Sequence, residues 1–140
     1  MTTTTDDPEP QDKPDITPYV RLGGEVTVDL LTRKFYQLMD SNEAYQALRA
    51  VHGPDLGRAQ ERLFWFLSGW LGGPALYQEK VGHPMLRARH LPFKIGILER
   101  NQWLLCMHQA MTELQIEEDF KDQLIQSFFK TADWMRNQNV

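Results

Sequence analysis

Apolar residues in this chain recur at steps of three and four, the spacing that places them on one face of an α-helix. Four segments show the pattern: residues 25–40, 56–71, a helix that begins after Gly96, and residues 118–136. No stretch shows the alternation typical of a sheet, so the sequence predicts an all-helical domain. The apolar faces are Val28, Leu31, Phe35, Leu38 and Met39; Leu56, Ala59, Leu63, Phe66, Leu67 and Trp70; Trp103, Met107, Ala110 and Leu114; and Phe120, Leu124, Phe128, Ala132 and Met135.

The segments between these helices carry the signals of turns. Gly and Pro interrupt the pattern at 23–24, 53–54 and 72–74. Residues 41–50 predict a further helical turn or two, capped by Ser41 and Asn42. Residues 75–81 are polar and irregular, which indicates a segment that is partly loop, and residues 137–140 are expected to fray.

The stretch from 82 to 96 contains a histidine in an unusual setting. Pro84 suits the first position of a helix, and Pro92 stops that helix after two turns, so His90 is predicted at its end. Trp103 follows on the next helix. A histidine on a short helix opposite a large aromatic side chain fits an axial ligand of a flat iron cofactor, but an ordinary surface or core histidine fits the same pattern.

Composition narrows the function classes. The chain has 140 residues and a net charge of −4, which argues against a general nucleic-acid binder. Its one cysteine, Cys106, excludes an intrachain disulfide and is expected to be a buried small apolar residue. No apolar run is long enough to span a membrane and no signal peptide is evident, so a cytoplasmic location is expected.

The N-terminal region differs from the rest of the chain. Residues 1–18 are rich in Thr, Asp, Pro and Glu and contain too few apolar residues to offset the entropy lost on ordering. We predict a disordered extension over 1–18, either a tether or an inert tail, followed by one domain over 19–140. Ile16, Tyr19 and Val20 are the residues of this region that we expect to dock on the domain.

Several short motifs, in this order and at compatible spacing, resemble the truncated haemoglobins, and within them the second group, called the O type. The resemblance covers about residue 19 to the end of the last helix and leaves the N-terminal extension out. The motifs are Gly23-Gly24, Phe35-Tyr36, Ala59-Gln60-Glu61-Arg62-Leu63, Gly72-Gly73-Pro74, Gly82-His83-Pro84, Arg89-His90-Leu91-Pro92-Phe93 and Trp103-Leu104-Leu105-Cys106-Met107.

The resemblance implies a globin-like, two-over-two helical sandwich around haem b. His90 matches the proximal ligand of a pentacoordinate iron, and its other ring nitrogen is expected to bond a backbone carbonyl. On the opposite, distal side, Tyr36, Trp103 and His52 match three potential hydrogen-bond donors. Ala59 matches the position of the distal histidine of ordinary globins, and Leu63 the residue over the iron.

The resemblance also implies further contacts with the cofactor. Lys80, Arg87 and Lys94 are alternative candidates for contacts with the haem carboxylates. Cofactor contacts are expected from Phe66, Leu86, Phe93, Ile95, Met107 and Met135, and carboxylate contacts from Arg62, Tyr77, His83 and Arg89.

Reversible binding of O2 for transport or sensing is the first functional interpretation, and CO, NO or peroxide are further candidate ligands. The alternative is an NO dioxygenase or peroxidase-like enzyme; because the chain has no flavin or nicotinamide motif, such an enzyme needs an external reductase. A haem-free helical interaction module is a third interpretation. Direct binding of His52 or of a Tyr36 phenolate to ferric iron stays open, as does the choice between monomer and homodimer; no catalytic residue is assigned.

Overall fold

A computed structural model describes residues 16–140, and this part of the chain is helical without any strand. The predicted all-helical fold is therefore confirmed. A 3₁₀ turn, Glu43–Tyr45, precedes the third helix. The helices are α1 (Pro18–Leu22), α2 (Glu25–Ser41), α3 (Gln46–Ala50), α4 (Gly57–Trp70), α5 (Leu76–Lys80), α6 (Leu86–His90), α7 (Ile97–Glu113) and α8 (Glu118–Trp134).

The four long helices build the core. α2 packs on α4, α7 packs on α8, and contacts between α2 and α7 join the two pairs. The predicted apolar faces meet there: Val28, Leu31 and Phe35 of α2 are fully buried, as are Met107 and Ala110 of α7. Burial of these faces is the main stabilising contribution to a helical domain of this size.

The first helix is attached to the end of α4. Thr17 caps α1 by accepting a hydrogen bond from the Val20 amide, and the Tyr19 amide donates to the Leu71 carbonyl at 2.9 Å. The Tyr19 ring lies so close to Gly73 that a Cβ there would be 2.4 Å from it. Ile16 and Val20 stay exposed, so Tyr19 alone of the three predicted docking residues packs against the core.

The rest of the predicted extension, residues 1–15, lies outside the described residues, and the domain boundary stays a prediction. Within residues 16–140, no helix combines the length and the apolar character that crossing a bilayer requires.

The short helices differ from the sequence prediction. Ser41 is the last residue of α2 and not a cap; Asn42 caps the next turn by accepting from the Ala44 amide at 2.9 Å. Residues 75–81, expected to be partly loop, contain α5, in which Tyr77 is buried. The apolar Tyr77 ring anchors this helical turn despite its polar surroundings.

The helix predicted from Pro84 starts two residues later. The Met85 amide donates to His83 Nδ1 at 3.1 Å, and Met85 takes a left-handed conformation with φ 47°. This local bond places Pro84 outside the helix, so α6 is a single turn that begins at Leu86. His90 ends this turn, as predicted.

Candidate functional site

A group of buried and half-buried rings connects α2, the turn after α3, and α7. We call Phe35, Tyr36, His52 and Trp103 the distal cluster. The Phe35 ring lies 5.0 Å from Tyr36 and 5.2 Å from Trp103, and the Tyr36 ring lies 5.8 Å from His52, all between centroids. The structure thus brings together the three residues predicted to line the distal side.

The Tyr36 hydroxyl is buried and has no hydrogen-bond partner among residues 16–140. The side chain is 7% exposed, and burial raises the pKa of the phenol far above its usual range, with a smaller effect from Cys106. The hydroxyl therefore keeps its proton and remains a donor. An unpaired buried hydroxyl is costly, so Tyr36 is a candidate donor to a bound ligand.

Trp103 has a similar unused donor. Its ring packs between Phe35 and Phe128, 5.3 Å from the latter, and Phe128 in turn stacks on Trp70 at 4.6 Å. Within the described part of the chain, no acceptor bonds the Trp103 indole N–H. These aromatic contacts fix the ring and leave its N–H available to a ligand.

His52 differs from the other two predicted donors. Its Nδ1 lies 2.9 Å from the Leu48 carbonyl, which only accepts, so Nδ1 carries the hydrogen. Burial lowers the pKa of His52, and Arg49 and His90 add to this effect against the opposing backbone bond. The neutral ring therefore presents a lone pair at Nε2, and this revises the prediction of a third donor to an acceptor or metal ligand.

The turn that carries His52 is itself fixed. Arg49 donates to the Gly53 carbonyl at 2.9 Å and pairs with Asp40 at 2.9 Å. The Leu48 amide donates to Gln102 Oε1 on α7 at 2.9 Å. These bonds hold the carbonyl that sets the His52 tautomer.

His90 has the same arrangement as His52. Its Nδ1 lies 2.6 Å from the Leu86 carbonyl, the backbone contact that the resemblance implied. Nε2 therefore carries the lone pair that a metal ligand needs.

The predicted apolar contacts differ in burial. Met107 is fully buried, Ile95 and Met135 are nearly so, and Phe93 is 46% exposed. The α4 residues Ala59, Leu63 and Phe66 are half-buried and pack against the core that contains Tyr36.

Three of the predicted carboxylate partners present donors. Tyr77 is buried and its hydroxyl has no partner among the described residues. The Arg89 guanidinium lies 5.8 Å from the Tyr77 ring centroid. His83 Nδ1 accepts from the Met85 amide, so Nε2 of neutral His83 carries the hydrogen and can donate.

Among the remaining cations, Lys94 is exposed, and Arg62, Arg87 and Lys80 lie near other groups. Arg62 lines a polar groove of about 770 Å³ between α2 and α4, together with Asp29, Arg33 and Asp55 and without Tyr77, His83 or Arg89. The competing Arg87 bonds the Trp134 and Arg136 carbonyls, and Lys80 lies 5.4 Å from the Trp65 ring centroid.

Sequence reasoning missed Asn137, which was expected to fray. Its side chain bonds the backbone of three residues around the end of α6, including His90. The partners lie more than 40 residues away along the chain, so no local pattern indicates them.

The residues present fit a haem group. They combine an imidazole with a free lone pair, two unpartnered donors in the distal cluster and buried apolar side chains. A ligand for iron and donors for carboxylates are thus both present, as haem, the cofactor that the sequence motifs implied, requires.

Comparison with known proteins agrees with this geometry. Residues 17–137 match the family of bacterial-like globins. The chain is 38% identical to group 2 truncated hemoglobin YjbI of Bacillus subtilis over 121 residues, 86% of this chain and 89% of the relative.

Solved structures agree as well. A group II 2-on-2 hemoglobin from Agrobacterium tumefaciens superposes with a TM-score of 0.86 at 40% identity, covering 91% of this chain and 98% of the other. A truncated oxygen-avid haemoglobin from Bacillus subtilis gives a TM-score of 0.79 at 37% identity, covering 86% and 99%. Globins bind iron-containing haem, which is the cofactor of this chain. The chain belongs to the bacterial-like globins and, within them, to the group II truncated haemoglobins.

Proposed function

We propose that this haem protein binds O2 reversibly, with His90 as the proximal ligand and Tyr36 and Trp103 as donors to the bound ligand. His90 Nε2 would hold the haem iron, and the bound haem would supply the metal to which a small diatomic ligand binds. The unpartnered buried hydroxyl of Tyr36 is the observation that carries the proposal.

The donors favour O2 over less polar ligands. O2 accepts a hydrogen bond well when it is bound, whereas CO accepts poorly. A buried hydroxyl without an acceptor costs about 1–3 kcal/mol, so an accepting ligand is stabilised by relief of that cost. The Bacillus subtilis structure is described as oxygen-avid, which supports strong O2 binding here.

Three further residues are proposed to hold the haem carboxylates. Tyr77, His83 and Arg89 offer an O–H, an N–H and a guanidinium on or beside α5 and α6. Ionised donors such as Arg89 form the stronger bonds to carboxylates. We leave Arg62 out of this group because it lines the groove between α2 and α4.

A peroxidase-like reaction is the second candidate. His52 favours it, because the neutral imidazole has a lone pair on Nε2 that would accept a proton from peroxide near the distal cluster. Electrons would come from an external reductant. Turnover of peroxide with a reducing dye, lost in His52→Leu, tests this candidate; equal turnover in the variant would dismiss it.

Absorption spectra of the ferric, ferrous and O2-exposed protein test the first proposal. His90→Gly should lose the histidine-ligated spectrum and regain it with added imidazole. His108→Gly on α7 is the control and should behave like the wild type. Pigment uptake and spectra that are unchanged in His90→Gly, with no effect of imidazole, would overturn the assignment.

A further inference from the structure

The segment after α8 lies against the turn that follows α6. We call residues 90–97 the proximal turn and residues 135–140 the post-α8 segment. The Asn137 amide donates to the Ile95 carbonyl at 2.9 Å, and the Ile97 amide donates to the Val140 carbonyl at 3.0 Å. Gly96 leaves room for this approach, since a Cβ there would collide with the Val140 carbonyl.

The Asn137 side chain adds three bonds to the proximal turn. Its Nδ2 donates to the Phe93 carbonyl at 2.7 Å and to the His90 carbonyl at 3.3 Å. Its Oδ1 accepts from the Ile95 amide at 2.9 Å. One side chain therefore bonds the backbone on both sides of Pro92.

The proximal turn has little else to hold it. α6 has five residues, too few to be stable alone. Within the turn, the Leu91 amide donates to the Arg87 carbonyl at 3.1 Å and the Phe93 amide donates to the His90 carbonyl at 3.0 Å. Leu91 is 56% exposed and Phe93 46% exposed, so Ile95 is the one buried apolar side chain of the proximal turn. The backbone position of His90 thus depends on hydrogen bonds from outside α6.

The end of α8, where Asn137 follows, is fixed to both neighbouring helices. Arg87 of α6 donates to the Trp134 and Arg136 carbonyls. Asp133 pairs with Arg100 of α7 at 2.6 Å and with Arg136 at 2.8 Å. Asn137 therefore reaches the proximal turn from a rigid base.

We propose that Asn137 is a positioning residue for the proximal histidine. It holds the backbone at His90 and thereby fixes the direction of the imidazole toward the iron, without touching the ring. This inference rests on the proposed role of His90 as the ligand.

Two variants separate the donor and acceptor halves of the amide. Asn137→Asp keeps an oxygen for the Ile95 amide but places a second oxygen opposite the Phe93 and His90 carbonyls. Asn137→Ala removes all three bonds. Asn139→Ala is the matched control, because Asn139 is exposed two residues further on.

The readout is the iron–histidine stretching band in the resonance Raman spectrum of the ferrous, ligand-free protein. We expect this band to broaden and shift in Asn137→Asp and Asn137→Ala and to stay unchanged in Asn139→Ala. Haem loss to a competing apoprotein should accelerate about three- to tenfold in both Asn137 variants, as expected if the two or three lost bonds weaken haem binding by the net worth of about one hydrogen bond.

A variant in which the iron ligand is not covalently attached to the backbone tests whether Asn137 acts through the backbone at His90. In His90→Gly with added imidazole, the ligand is free of the chain, so Asn137→Asp should no longer change the band. A band that Asn137 variants leave unchanged while the melting temperature falls would reduce Asn137 to a structural cap and overturn the inference. If His90→Gly itself keeps the wild-type spectrum, the assignment of the ligand fails instead.

Discussion

The two sides of the haem site are held in different ways. Three of the four residues of the distal cluster lie on the long helices α2 and α7, where Phe35 is fully buried and Tyr36 is 7% exposed. The proximal turn follows a helix of one turn, with three exposed apolar side chains and a set of hydrogen bonds from Asn137. The distal cluster is held by the close packing of aromatic rings, and the proximal turn by hydrogen bonds from specific polar atoms.

This difference determines which substitutions matter. A packed ring tolerates loss of a polar atom but not of volume, whereas a hydrogen-bonded turn tolerates loss of volume but not of a donor. Stability should therefore be most sensitive to the distal cluster. The position of the ligand histidine should be most sensitive to the post-α8 segment.

The largest effect is expected from loss of volume in the distal cluster. Phe35→Ala should lower the free energy of unfolding by about 3–5 kcal/mol, because the ring is fully buried against Tyr36 and Trp103. Denaturant unfolding measures this change. Phe129→Ala is the control, since that ring is 43% exposed and its loss should cost far less; equal losses would contradict the comparison.

Removal of a single donor should affect ligand release more than folding. Tyr36→Phe and Trp103→Phe should each speed O2 release by about ten- to a hundredfold, because a hydrogen bond to a charged acceptor contributes about 1.5–3 kcal/mol. Stopped-flow dissociation measures the rate. Tyr45→Phe is the control, since its hydroxyl already bonds Gln109 at 2.6 Å; unchanged rates in both distal variants would remove the donor argument.

Substitutions of His52 should change the rate of O2 release less than substitutions of Tyr36, and a substitution that adds a donor should slow it. As the neutral ring presents a lone pair, His52→Leu should change O2 release at pH 7.5 much less than Tyr36→Phe does. His52→Gln introduces an amide N–H and should slow release by up to about tenfold. A strong acceleration in His52→Leu would show that the imidazole donates after all.

The same lone pair bears on the ferric state. Coordination by His52 stays a prediction that a low-spin ferric spectrum, lost in His52→Leu, would support. Coordination by a Tyr36 phenolate is disfavoured, because burial raises the pKa of that hydroxyl.

The smallest effect is expected at Asp133, which supports the post-α8 segment. Hydrogen bonds from Arg136 and Arg100 lower the pKa of Asp133, so its contribution to stability is present above its unfolded pKa of about 4 and is lost as the pH falls through the lowered value. Asp133→Asn should melt slightly below the wild type at pH 7. The gap should close in acid; a gap that widens there would contradict the sign.

Much of the fold followed from the sequence, as did the proximity of Tyr36, His52 and Trp103, for identifiable reasons. The apolar faces of α2, α4, α7 and α8 predict both the helices and the surfaces that they bury. The motifs around Tyr36, His90 and Trp103 were sufficient for the family resemblance, which the comparisons confirmed.

Other features depended on contacts that no local pattern records. The contact between His52 Nδ1 and the Leu48 carbonyl decides whether Nε2 donates or accepts, and only the structure provides that distance. The bond from Met85 to His83 shifts the start of α6. Asn137 meets its partners only after α8 has packed on α7, so the sequence indicated a frayed end.

The aromatic contacts from Phe35 through Trp103 and Phe128 to Trp70 have an optical consequence. A porphyrin absorbs at the wavelengths where indoles emit, so a cofactor beside Trp103 should quench the fluorescence of that side chain and of Trp70 by energy transfer. Intrinsic fluorescence should therefore be weak in the loaded protein and bright after extraction of the pigment, which gives a label-free signal for following loading in solution.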